Sequence, residues 1–379
     1  MPDTTVKFFD STMTGAPALS GTAGALLGVL DACLVNGFGS VTLDSLVVAS
    51  NVATGTVSAG HNLAMVGNTG PVVTIAGATP SGLNGEWRIA SVPGSTTFTF
   101  ATTGISDQTA TGTITAKRSP AGWAKAYSGT NKAAYQSAAI GSTANLLRID
   151  DTTTTYATGS GYVTMSDIDT GTDPFLYSLG KLTKSITANA TSRIWMLFAD
   201  QSCFYLSLRN TDNDNYSENY LGYYFGDIVS WLSTDVYHCG FICNNEYDQG
   251  YHLGSINTVS ERKMARSYTQ IGNSVGFYNT SSVMTVNPLG ANLGMVYPSP
   301  VNNELVSFPV YVIESNVIRG TMPGFWAPGH KLNASLVQGN IINNIPVNNI
   351  LRDFMVVATN VNRINEGGRI LLDITGPWR

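Results

Sequence analysis

Charge is what this chain has least of. Asp, Glu, Lys and Arg make up 12% of its 379 residues, about half the usual ~25%. The formal net charge is −5, so no basic excess is present to neutralise phosphates, and a dedicated DNA or RNA binder is excluded. Surface polarity must come from Thr, Ser, Asn and Gly, which suits β-proteins whose surfaces are partly covered by neighbouring subunits. Cysteine is scarce as well: four in this length do not make a disulfide scaffold. Only four histidines are present, which leaves few bases for nucleophilic or metal-assisted hydrolysis. The longest apolar stretch, Tyr220 to Cys243, carries Asp227 and Asp235. Two carboxylates in a bilayer span would be costly, so membrane insertion is excluded. Met1-Pro-Asp-Thr-Thr5 lacks a basic segment followed by an apolar one, so no signal peptide is expected. Heptads and strict internal repeats are missing too, which excludes a coiled-coil shaft. These absences describe a protein folded in a reducing cytoplasm that works as part of an assembly.

What is present reads as strands. Residues 1–19 form a polar arm with one short strand at Val6–Phe9. A helix of about four turns follows, capped by Ser20 or Thr22 and stopped by Asn36-Gly37. Leu27, Leu30 and Leu34 fall at i, i+3 and i+7, with Leu26 beside them, so one apolar stripe must pack on a sheet or a partner subunit. Residues 1–40 are therefore assigned as a docking arm and helix, with Leu27, Leu30 and Leu34 as candidate oligomer contacts.

From 41 to 118 short apolar runs alternate with turn signals at roughly 8–12-residue spacing, the pattern of a small β-sandwich or barrel. Trp87, Ile89, Phe98 and Phe100 point inward by alternation. The last strand is expected at Gly112–Thr115. Ser119-Pro120 marks a boundary, and 119–379 reads as a larger antiparallel β-sandwich-type region with room for a split near 300. Its densest part runs from Arg193 to Cys243. The fold class expected is thus mainly β.

Four constellations bear on chemistry. His238, Cys239, Cys243 and His252 suggest zinc. In a strand, however, residues i and i+4 stand about 13 Å apart, too far for one metal. Buried free thiols are the better account. Asp167, Asp169 and Asp173 alternate around Gly171 as in a calcium loop, but no Glu follows at the twelfth position. Asp and Gly also simply make turns. Asp212-Asn-Asp-Asn215 with Glu218 is weighed the same way. Paired carboxylates could cleave glycosides, yet no parallel β-helix repeat is present, so no enzymatic activity and no cofactor are expected. Tyr216, Tyr220, Tyr223 and Tyr247, with Tyr224 and Tyr251 among them, are dense enough for an adhesive surface. The competing account is that alternate members face the core. Trp326 in Pro323-Gly-Phe-Trp-Ala-Pro328 reads as a packed anchor.

A resemblance adds to this. The segments are Gly28–Gly39, Val73–Gly85, Lys117-Arg-Ser-Pro-Ala-Gly-Trp123, Met165–Thr172, Tyr224-Phe-Gly-Asp227, Arg319–Pro328 and Gly368–Trp378. Together they resemble a family of virion structural proteins of tailed bacteriophages and prophages of Gram-negative bacteria, including Mu-like phages. The resemblance implies a virion component of the tail tip, baseplate or fibre apparatus, made in the host cytoplasm. It also implies a homo-oligomer, as a trimer or a ring, attached to other tail proteins. A receptor-binding adhesin touching the host surface and a capsid decoration protein are the alternatives. No residue role is carried over with it.

Overall fold

The computed structural model describes residues 2–211, 220–243, 253, 262–279, 297–301, 304–330, 336–347, 349–358 and 369–379. The chain is mainly β, as its strand patterning predicts: among the described residues, four antiparallel sheets accompany one short helical segment near the N-terminus and a single 3-10 turn at Ser81–Leu83.

The first sheet to form in the sequence has eight strands and spans Phe38–Thr42 to Thr115–Arg118. Phe38–Thr42, at one end of the sheet, leads through only Leu43 and Asp44 into Ser45–Ala49 near the other end. The sheet therefore curls round its own core. Trp87, Ile89, Phe98 and Phe100 all lie in that core beside Leu46, Val73 and Ile75. Trp87 stacks on Phe100 with ring centroids 4.9 Å apart. The last strand is Thr115–Arg118, three residues later than its apolar pattern suggests. Arg118 is buried there, and its guanidinium donates to the Asn62 carbonyl at 3.0 Å. A long polar side chain turned inward hides the strand from a hydrophobicity pattern.

The other three sheets are stacked. A central seven-stranded sheet runs Lys7–Asp10, Trp195–Ala199, Cys203–Arg209, Tyr220–Asp227, Cys239–Ile242, Arg262–Met264, Val275–Gly276 in spatial order. Its two faces belong to different cores. Leu197, Phe204, Leu206, Leu221, Phe225 and Phe241 pack toward the helix and a five-stranded sheet built from residues 124–183. Phe198, Tyr205, Tyr224 and Ile242 pack instead against Val310, Val312, Phe325 and Met355 of the C-terminal sheet. Burial on both sides explains why the block from Arg193 to Cys243 is apolar without alternating.

The helix keeps its expected stop at Asn36-Gly37, with Gly37 at φ 70°, and departs from expectation at its start. It spans Ala25–Leu30 and widens directly into a π-type turn at Asp31–Asn36. Ser20 and Thr22 bond to each other and do not cap it. The cap is Asp151, whose Oδ2 accepts the amides of Leu26 at 2.8 Å and Leu27 at 3.4 Å. A partner 125 residues away in sequence cannot be read from a local signature. Nor do residues 1–40 stand apart as a docking arm. Lys7–Asp10 pairs with Trp195–Ala199 inside the chain's own sheet, and Leu27, Leu30 and Leu34 are buried in its core.

The small domain is fastened where the termini meet. Arg88 donates to the carbonyls of Asp3, Val6, Gly70 and Thr375. Asp353 accepts the amides of Asn68 and Asn344 and the hydroxyl of Thr69. Gly67, at φ 61°, sits at this seam. A Cβ there would lie 2.7 Å from Ile341 Cγ2 and 3.2 Å from Asp353 Oδ2, so only glycine lets the two parts approach.

Candidate interaction surface

Ser307–Glu314 and Val317–Pro328 form a long hairpin of the C-terminal sheet. Tyr278 lies directly across from Ile313, and Ile313 across from Ile318, so the three form one cross-strand row. Trp231 reaches the same hairpin from the segment after the central sheet. Its amide donates to Arg319 O at 2.9 Å, and its ring meets Tyr311 edge-on at 5.8 Å. The row and its neighbour are open to solvent: Tyr278 is 44% exposed, Ile318 41% and Trp231 60%. A scattered exposed Leu needs no explanation, whereas aromatic and aliphatic groups held side by side mark an interaction surface.

The platform beneath is rigid, because a buried cation collects it. Arg319 is fully buried, as are the Asp235 and Glu314 side chains to within 2%. Its Nε and Nη2 donate to the two carboxylate oxygens of Asp235, both at 2.8 Å. Nη1 donates to Glu314 Oε2 and to Arg266 O, each at 2.6 Å, and Nη2 also donates to Tyr237 O at 2.9 Å. All five N–H groups of the guanidinium are therefore used. Burial alone would push the Asp235 carboxyl up, but the paired Arg319 outweighs it and holds the group below its ordinary range. Glu314 in turn accepts from Ser267 Oγ and the Tyr268 amide, and Gln270 donates to Thr234 O. Three segments, 230–237, 266–270 and 314–319, are thereby fixed around one charge. Val236 and Ile271, also on or beside these segments, are 58% and 78% exposed.

The residues singled out from the sequence fare differently. Leu27, Leu30 and Leu34 are core residues, so none is exposed for an oligomer contact. Tyr220 and Tyr223 are buried at 6% and 1% exposure, which removes them as surface contacts. Both lie in a strand covered on each face, so alternation gives neither of them a solvent side. Tyr216 and Tyr247 lie outside the described residues, as do Tyr251, His252 and Asp212–Asn215 with Glu218. Asp167 Oδ1 closes its own turn through the amides of Asp169 and Thr170. Asp169 pairs with Lys132 and Arg148, and Asp173 with Arg266. Each carboxylate of the supposed calcium loop already has a partner. Cys239 and Cys243 are buried thiols of the core, and burial pushes Cys239 well up, away from the thiolate a metal or a nucleophile requires. Trp326 is packed edge-on against Phe354 at 5.9 Å.

Gly272-Asn-Ser-Val-Gly276 has the spacing of a nucleophile elbow. It forms an exposed turn leading into the two-residue strand Val275–Gly276, where the motif would need a strand entering a helix. The surface around Trp231 and Ile318 has no local signature. Its one legible clue is Arg319, a lone charge in the apolar strand Val317–Pro328, which requires a buried counter-charge.

No protein-family model matches this sequence, and comparison with curated proteins gives no match.

Proposed function

We propose that this chain is a structural component of a bacteriophage virion, placed in the tail tip, baseplate or fibre apparatus. In this reading it assembles as a symmetric homo-oligomer and attaches to other tail proteins. The observation that carries it is the Tyr278–Ile313–Ile318 row with Trp231, an apolar face held on a rigid bracket. Removing such a face from water gains about 25 cal/mol per Å² of apolar area. The described side chains that make this face, Trp231, Tyr278, Ile313 and Ile318, are uncharged, so none of them repels its own copy across a symmetry axis. The segments resembling phage virion proteins supply the setting, and one of them, Arg319–Pro328, lies in the hairpin that carries this face.

Antibody raised to the folded chain and gold-labelled on intact particles tests the assignment. Label on the tail tip or baseplate is the expected result, and label on the capsid overturns it. Antibody directed at the Trp231 face should reach the isolated chain and not the assembled particle. If it reaches the particle and blocks adsorption, the face contacts the host, and the receptor-binding adhesin is the correct reading.

A further inference from the structure

Lys184 and Asp151 are a buried pair that the surface described above does not use. Both side chains have zero solvent exposure, and Lys184 Nζ is in direct contact with Asp151 Oδ1. Their backbones are fixed: the Asp151 amide donates to Asn131 O at 2.8 Å, and the Lys184 amide to Thr155 O at 2.9 Å. Nζ also donates to Thr22 O at 2.6 Å, which orients the amine. The other carboxyl oxygen, Oδ2, faces the amides of Leu26 and Leu27.

We propose that Lys184 and Asp151 condense spontaneously to an intramolecular isopeptide bond. Moving one proton across the contact converts ammonium and carboxylate into amine and carboxylic acid. The Nζ lone pair then attacks Cγ, and Oδ2 takes the negative charge, where the Leu26 and Leu27 amides stabilise it as oxyanion donors do. A proton passes from nitrogen to Oδ1, the Cγ–Oδ1 bond breaks, and one water leaves. Atoms and electrons balance without oxidant, cofactor or activating group. Holding both groups in one orientation replaces a bimolecular encounter. Burial favours the reactive state: desolvation pushes the Asp151 carboxyl up and the Lys184 amine down, with their mutual attraction offsetting only part of each. The bond would join the residues that directly follow strands Leu146–Asp150 and Gly171–Thr183, cross-linking two strands of the five-stranded sheet beside the helix that Asp151 caps.

Intact-mass spectrometry of the denatured full-length chain tests this. The expected mass, after N-terminal processing is accounted for, lies one water below that of the sequence. Proteolysis should place the deficit on a branched peptide joining Asp151 to Lys184. Lys184→Arg keeps a cation in the pocket but removes the nucleophile, and should restore the full mass. A wild-type chain at full mass overturns the proposal, because the pair is then an ion pair only. So does a deficit confined to a linear Asp151 peptide, or one that persists in Lys184→Arg.

Discussion

The small eight-stranded domain and the stacked region beyond it are held together by different means. Between Phe38 and Arg118 the core is apolar side chains, and the buried polar residues are His61, Thr102 and Arg118. The stacked region buries Lys184 with Asp151 and Arg319 with Asp235 and Glu314, and sets the half-buried Arg352 against the buried Asp373. The first follows from burying apolar surface, which is non-directional and tolerant of exchange. The second depends on pairs whose members cannot be removed singly, because the remaining charge stays buried. In a chain so poor in charge, these buried pairs tie together segments far apart in sequence.

That contrast can be broken by substitution. Arg319→Met leaves Asp235 and Glu314 buried without their cation and should cost about 3–5 kcal/mol. Urea unfolding followed by tryptophan fluorescence reads it, and a loss below about 1 kcal/mol would mean the bracket is not a joint. Leu46→Ala, at 0% exposure in the small core, should cost about 3 kcal/mol. Its effect should stay with the small domain; equal loss in both regions would show that the Arg88 and Asp353 seam couples them into one unit.

Acid sharpens the same comparison. The folded Asp235 carboxyl lies below its unfolded value of about 3.9. Its stabilisation is therefore complete above that value and is lost as the pH falls through the lower folded one. Fluorescence of Trp231 should hold steady from neutral pH to about 4 and change below it. A change near pH 6 would exclude Asp235 as the cause. The smallest stability effect is expected from Trp231→Ser, within about 0.5 kcal/mol because the side chain is exposed. Light scattering should nonetheless report loss of self-association, and an unchanged oligomer would remove this face from the interface.

The sequence carried the small domain well because its strands have one wet and one dry face. Trp87, Ile89, Phe98 and Phe100 announce themselves by alternation. It carried the central block only as a region, since strands covered on both sides hide which face is which. That is why Tyr220 and Tyr223 read as surface contacts and are core. The docking role given to Leu27, Leu30 and Leu34 failed for a related reason: a stripe shows that a helix packs, and is silent on whose core it enters. The interaction face was illegible because Trp231, Tyr278 and Ile318 are brought together by strand pairing across nearly ninety residues.

The capping of the first helix by Asp151 sets an order of events on the ribosome. Residues 25–36 emerge early, yet the carboxylate that closes their first turn and the sheets that cover Leu30 and Leu34 are synthesised much later. The segment 38–118 contains all its own strand partners and can fold as it appears. The nascent chain would thus carry a finished small domain while the residues ahead of it wait, apolar and uncovered, for the strands that accept them.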